Sequence, residues 1–161
     1  MTVSKTVPKV ESFNLDHRKV RAPYVRLAGR YHGPKGDEIR KFDLRLIQPN
    51  QGEIPTAALH TIEHLMAGYL RQALGDTVID ASPMGCRTGF YLVALGEPSE
   101  ADAQHALEHA LSAITEHTGP IPGCSEVECG NYRDHSLHGA QTWARDILAD
   151  KIIIQDTVPI S

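Results

Sequence analysis

The chain has 161 residues, of which 41% are hydrophobic and 22% are charged, and its formal net charge is −4. These values are typical of one globular domain and exclude a disordered chain. The charge suggests neither a nucleic-acid footprint nor attraction to anionic membranes, and no apolar run approaches the roughly 20 residues that span a bilayer. The first residues, MTVSKTVPKVESF, lack the apolar segment of a secretory signal, which predicts a cytoplasmic protein.

Two neighbouring strands are predicted in the first third of the chain. PYVRLAGRYH (residues 23–32) is the first, GPKGD (33–37) is a turn signal, and IRKFDLRLIQP (39–49) is the second. The second strand alternates between an apolar row and a charged row, so it is expected to bury one face and present charges on the other. The apolar row is Phe42, Leu44 and Leu46, and the charged row is Lys41, Asp43 and Arg45.

Three helices and two further strands are predicted in the rest of the chain. A helix over 56–74 follows Pro55 and ends before a glycine. Two short strands, TVIDASP and GFYLVALGEP, flank the connection PMGCRTG. Helices are then predicted over 99–117, with a capping-box spacing at its start, and over about 134–149. This mixture of hairpin-like strands and helices predicts one α+β domain over 1–161, built on an antiparallel sheet.

The first predicted helix carries two histidines and a glutamate on one narrow arc. His60 and His64 lie about 40° apart around the helix axis, and Glu63 lies about 60° from His60 on its other side. The large apolar residues occupy the opposite side: Leu59, Ile62, Leu65, Met66, Tyr69 and Leu70. A helix that packs by this apolar side aims the polar trio outward, which is the geometry of a metal site. Solvated surface histidines are the alternative, and they are what we expect of His105 and His109, which repeat the spacing without a nearby cysteine.

Two histidines do not complete a tetrahedral site, and Cys129, in the glycine-flanked turn ECGNY, is the candidate third ligand. Two histidines and one cysteine with an open position are typical of a catalytic metal site, whereas a structural site requires four protein ligands. Glu63 would then lie beside the metal as a general acid or base. The H-x-x-E-H pattern is also that of inverted zinc peptidases, although those use an acidic third ligand and longer chains. A zinc peptidase is therefore the alternative function.

Cys86 lies between glycines in the connection PMGCRTG. Glycine permits backbone conformations that expose a neighbouring side chain to substrate, so Cys86 is a candidate functional thiol. A buried hairpin cysteine is the alternative. With Cys124 and Cys129 it makes an odd set of three, too few for a disulfide framework, so all three are expected to be thiols.

These motifs together resemble the LuxS family of S-ribosylhomocysteine lyases. The matching segments, in the family's order, are VESFNLDH (10–17), KFDLRLIQPN, HTIEHLMAGYLR, DASPMGCRTGFYLV, GEPS and ECGNYRDHSLHGA, which cover nearly the whole chain. The resemblance implies an antiparallel sheet with helices packed on one face, assembled as a homodimer. It also implies two sites at the subunit interface, each with residues from both subunits, the segment at 10–17 reaching across.

The resemblance assigns roles to individual residues. The metal ligands fall on His60, His64 and Cys129, and the acid/base groups on Glu63 and Cys86. The substrate contacts fall on Ser12, His17, Lys41, Arg45 and Asp80. The implied metal is one Fe²⁺ per subunit, which Zn²⁺ or Co²⁺ replaces readily, and imidazole with thiolate ligation fits all three.

The implied reaction moves a carbonyl from C1 to C2 and C3 of S-ribosylhomocysteine, and β-elimination then expels homocysteine. The other product is 4,5-dihydroxy-2,3-pentanedione, the precursor of the quorum-sensing signal autoinducer-2. The metal stabilises the enediolate oxygen while Cys86 and Glu63 move protons, and the metal is the expected cation that favours the Cys86 thiolate. No organic cofactor, nucleic acid or membrane partner is implied. Cys124 has no counterpart in the family pattern, and the segment at 117–128 looks variable and receives no role.

Overall fold

A computed structural model describes residues 6–161, which form one five-stranded sheet and three α-helices. The strands are β1 (Tyr24–His32), β2 (Glu38–Arg45), β3 (Val78–Pro83), β4 (Gly89–Leu95) and β5 (Ile153–Ile154). The helices are α1 (Thr56–Leu74), α2 (Glu100–Glu116) and α3 (Leu137–Leu148), and short 3₁₀ turns occupy Glu11–Phe13 and Gly75–Thr77. The strand order is β3-β4-β2-β1-β5. The α+β class is confirmed.

The sheet is mixed, whereas the sequence predicts a purely antiparallel one. The pairs β1–β2, β2–β4 and β3–β4 are antiparallel, but β5 runs parallel to β1 and pairs Ile153 with Tyr24. The prediction of an antiparallel sheet is therefore wrong at this edge. A strand of two residues is too short to show an alternating pattern, so the sequence does not reveal β5.

The β1–β2 hairpin forms as predicted. Gly36 in its turn has a φ of +93°, a conformation that glycine adopts without strain.

The three helices cover one face of the sheet. Phe42 and Leu44 of β2 are fully buried in a core that residues from all three helices complete. From α1 this core takes Leu59, Ile62, Leu65, Met66 and Leu70, the apolar side that the helical periodicity predicts.

Two members of the charged row of β2, Asp43 and Arg45, are buried, whereas the sequence predicts that this row is presented on the face opposite the core; Lys41 is half-buried. Asp43 is 0% exposed and Arg45 2% exposed. The Asp43 carboxylate accepts hydrogen bonds from the Tyr24 hydroxyl, from Arg26 and from Arg45. Arg26 also pairs with Glu11 of the N-terminal turn at 2.5 Å. Burial of these charges is possible because each one has an oppositely charged partner.

The helix ends agree with the predicted ones except at α3. At the start of α2, Ser99 and Asp102 form the predicted capping box. α3 begins at Leu137 rather than at 134, because Ser136 is its N-cap and accepts a hydrogen bond from the backbone of Gly139. No helix within residues 6–161 has the length and apolar character needed to cross a membrane.

The N-terminal and C-terminal segments of the described chain meet beside the sheet. Leu15 and Pro159 form an isolated antiparallel bridge, and the Asp16 N–H donates to the Val158 carbonyl at 2.8 Å. A small second hydrophobic cluster forms there from Leu15, Val20 and Tyr24, with Val158 packed against it. These contacts hold the segment at 10–17 against the sheet of the same chain.

Candidate metal centre and active site

Three histidines and one cysteine converge beside α1. His60 and His64 project from successive turns of this helix, while Cys129 and His135 come from the loop that precedes α3. One ligand atom from each of the four lies within 4.8 Å of the other three. Cys129 Sγ lies 3.4 Å from His60 Nε2, 3.8 Å from His64 Nε2 and 3.9 Å from His135 Nε2. Imidazole and thiolate donors in this arrangement could hold a transition-metal ion.

Hydrogen bonds orient the two histidines of α1. The Nδ1 atom of His60 lies 2.9 Å from the Asp134 carbonyl oxygen, and that of His64 lies 2.7 Å from the Pro122 carbonyl oxygen. Because a carbonyl oxygen only accepts, both rings carry their hydrogen on Nδ1, and both Nε2 lone pairs face Cys129. Metal-bound histidines are commonly held by such a bond from the second ring nitrogen.

His135 is the member of the cluster that sequence analysis missed. Its Nδ1 lies 3.0 Å from the Thr61 hydroxyl oxygen, and that hydroxyl donates its own hydrogen to the Ala57 carbonyl. The His135 ring therefore also donates from Nδ1 and turns the lone pair of Nε2 toward Cys129. Burial, reinforced by the neighbouring histidines, lowers the pKa of His135 from its ordinary value and favours the neutral ring.

The position of His135 in the sequence does offer a weak signal. It lies six residues after Cys129, the predicted cysteine ligand, in the segment CGNYRDH. That spacing is within the range over which one loop can bring two ligands to the same ion. The predicted helix over 134–149 conceals this signal, because it places His135 on a helix instead of in the loop.

The segment at 117–128, to which the sequence assigns no role, supports His64. It supplies the Pro122 carbonyl that accepts the His64 hydrogen bond. Gly123 follows with a φ of +66°, and a Cβ atom there would lie 3.3 Å from His64 Nδ1. Cys124 lies in the same segment, where its thiol contacts the Tyr132 carbonyl oxygen at 3.4 Å. This loop approaches His64 closely because glycine occupies position 123.

A cavity of about 380 Å³ lies beside the cluster and brings charged groups of both signs together. Glu63 and His64 line it from α1, Asp80 from β3, and Arg71 from the last turns of α1. The Glu63 carboxylate has no hydrogen-bond or ion-pair partner within residues 6–161. Arg71 donates to the Ala67 carbonyl at 2.7 Å, and Ser82 donates to Asp80. An unpaired carboxylate next to a metal-binding cluster is available for proton transfer.

A second cavity, of about 420 Å³, holds the candidate thiol. Its lining residues are Ser12, Phe13, His17, Arg45, Pro83, Met84, Gly85, Cys86 and Tyr91. Cys86 is exposed, so the alternative of a buried hairpin cysteine is wrong. Its Sγ lies 3.0 Å from the Thr88 hydroxyl oxygen and 3.9 Å from Arg45 Nη1. Within this chain Arg45 is thus the cation that contacts Cys86, and the role of the metal beside this thiol stays a prediction.

The structure divides the predicted site residues between the two cavities. Three of the predicted substrate contacts line the Cys86 cavity, namely Ser12, His17 and Arg45. Asp80 lines the cavity beside the metal-binding cluster together with Glu63. Lys41 lines neither: its Nζ lies 3.9 Å from the centre of the Tyr91 ring. His105 and His109 are exposed on α2, as predicted.

The chain matches one family over nearly its full length. Residues 10–158 match the family described as S-Ribosylhomocysteinase (LuxS). A protein of Deinococcus deserti named S-ribosylhomocysteine lyase is 60% identical over 149 residues, which are 92% of this chain and 96% of that protein. Proteins with the same name from Thermus thermophilus (56% over 152 residues, 94% and 97%) and Pediococcus pentosaceus (58% over 146 residues, 89% and 92%) are similarly close. The chain belongs to the S-ribosylhomocysteinase (LuxS) family.

Proposed function

We propose that this protein is a carbon–sulfur lyase that cleaves S-ribosylhomocysteine to homocysteine and 4,5-dihydroxy-2,3-pentanedione. The family match over residues 10–158 is the observation that carries this proposal. The cluster at α1 supports it independently, because it offers a metal site with a free carboxylate, Glu63, at its edge. The second product is the precursor of autoinducer-2, and the released homocysteine can return to methionine synthesis.

The proposed metal ligands are His60, His64 and Cys129, with one ion per subunit. The rings of His60 and His135 are stacked, with centroids 3.9 Å apart and planes 22° apart, whereas the His64 ring is edge-on to both. An imidazole binds a metal in its own ring plane, so two stacked rings do not both direct lone pairs at one ion. Of the stacked pair, His60 lies closer to the cysteine sulfur. Fe²⁺ is the proposed ion, for which Zn²⁺ or Co²⁺ can substitute.

The reaction requires a carbanion next to the carbon that bears sulfur. The thioether sulfur is attached to C5 of the ribose, so the proton at C4 must become acidic, and this requires a carbonyl at C3. The carbonyl reaches C3 from C1 by way of C2, and each move takes a proton from one carbon and returns one to its neighbour. When bound, the metal supplies Lewis-acid stabilisation of negative charge on the substrate oxygen.

Glu63 and Cys86 are the proposed proton carriers. Glu63 lies in the cavity beside the cluster, where no partner within residues 6–161 occupies its carboxylate. Cys86 is exposed to the other cavity. Each such group typically contributes about 10²–10⁴-fold to the rate. A carboxylate and a thiol on two sides of the sugar can serve different carbon atoms in successive steps.

Each complete site is proposed to combine the Cys86 cavity of one subunit with the metal centre of the other in a homodimer. The two cavities have no lining residue in common, and Cys86 is not among the residues that converge at the cluster. Phe13 at the Cys86 cavity is 67% exposed, and Ile79, next to Asp80, is 48% exposed. Large apolar residues exposed beside both half-sites are suited to a subunit interface.

The charges of the cavity beside the metal-binding cluster suit the amino-acid end of the substrate. Arg71 and Asp80 line it together, and they can pair with the carboxylate and the ammonium group of homocysteine. Ser12, His17 and Arg45 would contact the sugar from the Cys86 cavity. Lys41 Nζ lies over the Tyr91 ring, and Tyr91 lines the Cys86 cavity, so Lys41 is proposed to contact the substrate at the margin of that cavity.

A cytoplasmic location is proposed because the site depends on reduced sulfur. All three cysteines are free. Cys129 must be a thiolate to bind a metal, and Cys86 must be unoxidised to carry a proton. The reducing cytoplasm maintains both conditions.

The inverted-motif zinc peptidase is not supported. Such enzymes complete the metal site with an acidic ligand, and within residues 6–161 no carboxylate joins the cluster.

The test of the proposed function is to incubate purified, metal-loaded protein with S-ribosylhomocysteine and to assay the release of homocysteine thiol. Cys86→Ala is the control, and casein is a parallel substrate. Thiol release by the unaltered protein alone supports the lyase. Peptide release from casein without thiol release would establish the peptidase.

A further inference from the structure

Thr88 is buried between Arg45 and Cys86. It is 4% exposed, and its hydroxyl oxygen lies 2.9 Å from Arg45 Nη1 and 3.0 Å from Cys86 Sγ. We infer that Thr88 is a positioning residue that donates its hydroxyl hydrogen to the Cys86 sulfur and holds it at the edge of the cavity. The hydrogen bond between Thr88 and Cys86 is inferred from the geometry alone. Its contribution to catalysis rests on the proposed function.

The direction of the hydrogen bonds follows from the donors available. Arg45 has no acceptor atom, so the Thr88 oxygen accepts from its Nη1 and keeps its own hydrogen for another partner. Within the described chain the remaining partner of this hydroxyl is Cys86 Sγ. If Cys86 were instead a thiol that donates to Thr88, the buried hydroxyl hydrogen would have no acceptor, which is unfavourable. A Cys86 sulfur that accepts the Thr88 hydrogen satisfies the hydroxyl, and a negative charge on that sulfur would strengthen the bond.

Arg45 is itself fixed in place by Asp43. Its Nε donates to one carboxylate oxygen at 3.1 Å and its Nη2 to the other at 3.0 Å. This two-point contact leaves Nη1 to face Thr88 and Cys86. Burial opposes the charge of Arg45, but the Asp43 hydrogen bonds and charge outweigh it and raise its pKa, so the arginine is cationic. The order Asp43, Arg45, Thr88, Cys86 thus forms one connected chain of contacts.

Other titratable or charged groups also surround Cys86. His17 and Tyr91 line the same cavity, and on the far side Arg87 and Glu53 line a further cavity that Cys86 and Thr88 share. Arg87 and Glu53 pair with each other at 3.7 Å. Within residues 6–161, the hydrogen-bond contacts of Cys86 Sγ are with Thr88 and Arg45. Of these two contacts, the Thr88 hydroxyl lies nearer to Cys86 Sγ than Arg45 Nη1 does. It is also the group that a single substitution of similar shape can remove.

The test compares Thr88→Val with Thr88→Ser. Valine has the shape of threonine without the hydroxyl, whereas serine keeps the hydroxyl. Thr77→Val is the matched control, because the Thr77 hydroxyl donates to the Leu74 carbonyl, away from Cys86. The measurement is the rate of Cys86 alkylation by iodoacetamide in metal-loaded protein from pH 5 to pH 10, with each cysteine peptide quantified by mass spectrometry.

We expect Thr88→Val to slow Cys86 alkylation by roughly tenfold near neutral pH, with the midpoint of the profile about one pH unit higher, as for a lost hydrogen bond to a charged group. Thr88→Ser and Thr77→Val should follow the unaltered protein. With S-ribosylhomocysteine, Thr88→Val should lower kcat by a similar factor and leave KM unchanged.

Two results would overturn the inference. A Thr88→Val profile that superimposes on that of the unaltered protein would show that the hydroxyl does not stabilise the thiolate. A Thr88→Ser profile as slow as that of Thr88→Val would show that the methyl group, and hence packing, is what matters. If Thr88→Val does not fold, Thr88→Ala removes the hydroxyl without adding bulk and is judged by the same profile. The absence of thiol release by unaltered protein would instead overturn the proposed function and leave the Thr88 result standing.

Discussion

The Nε2 atom of His60 lies 3.4 Å from Cys129 Sγ, although 69 positions separate the two residues in the chain. Contacts with α1 hold the loop at this distance. The Ser136 N–H donates to the Ala57 carbonyl at 3.1 Å, and His60 donates to the Asp134 carbonyl at 2.9 Å. The protein's own hydrogen bonds therefore bring the possible metal-ligand atoms of His60 and Cys129 together, so these atoms are largely preorganised for a metal ion.

Metal content should separate ligands from neighbours. We expect one transition-metal ion per chain in the unaltered protein, near-complete loss in His60→Ala and Cys129→Ala, and retention in His135→Ala, since the stacked His135 ring is not directed at the same ion as His60. Elemental analysis after gel filtration measures this, with His105→Ala as a surface control. Loss of metal from His135→Ala as complete as from His60→Ala would indicate four protein ligands, as in a structural site.

The two proposed proton carriers should be separable from metal binding. Glu63→Gln and Cys86→Ala should keep the metal and the fold but lose about 10²-fold or more of the turnover, because each removes a proton carrier and no ligand. Thiol release from S-ribosylhomocysteine and metal content are measured on the same samples. A metal-free Glu63→Gln protein would mean that Glu63 is a ligand.

Mixed dimers should recover activity if each site draws on two subunits. Cys86 lines one cavity and Glu63 the other, so an inactive Cys86→Ala chain and an inactive Glu63→Gln chain together contain one intact pair. Refolding an equal mixture should restore about a quarter of the normal activity, since half of the dimers are mixed and each has one working site.

The control for this experiment is a mixture of Cys86→Ala and Arg45→Ala. Arg45 lines the same cavity as Cys86, so neither site of a mixed dimer receives both residues intact. That mixture should stay inactive. Recovery in the control, or none in the first mixture although both variants fold and dimerise, would contradict the proposed division of the site.

The glycine beside His64 should matter for metal affinity. Gly123 and Gly119 both have positive φ, so an alanine strains the backbone at either position, but only at 123 does the new Cβ approach His64 Nδ1, at 3.3 Å. Gly123→Ala should therefore weaken metal binding by roughly tenfold through the displaced ring, whereas Gly119→Ala should lower thermal stability alone. Competition with a chromogenic chelator gives the affinities. Equal affinities in the two variants would exclude a role for the loop at His64.

The capping box of α2 should give a pH-dependent contribution to stability. The hydrogen bond from Ser99 holds the pKa of Asp102 below its ordinary value of 3.8. A lowered carboxylate pKa stabilises the folded state at pH values above the ordinary one, and this contribution disappears as the pH falls through the lowered pKa. Asp102→Ala should thus lower Tm by about 2–4 °C at pH 7, and the difference should shrink below about pH 4. Thermal unfolding of both proteins across this range tests the sign.

Local patterns in the sequence predict the half of the metal centre that lies on one helix. His60, Glu63 and His64 are found from helical periodicity, since all three belong to α1. His135 and the Pro122 carbonyl are not found this way, because they reach α1 only through the folding of loops that have no period. The burial of Asp43 and Arg45 in β2 is not predicted from the sequence for the same reason. Alternation shows that Asp43 faces away from the core, but its partner Arg26 comes from another strand.

The bridge between Leu15 and Pro159 affects the order in which the protein can be completed. A ribosome makes residues 14–16 early, yet the backbone groups that pair with them belong to residues 158–160. At about 5–20 residues per second, the early segment waits on the order of 10–30 s for its partner. All four residues of the cluster, of which His135 is the last, are made before residue 158, whereas the wall of the Cys86 cavity formed by Ser12 and His17 is secured only after residues 158–160 are made. A nascent chain therefore contains the complete histidine and cysteine cluster before it can complete the Cys86 cavity.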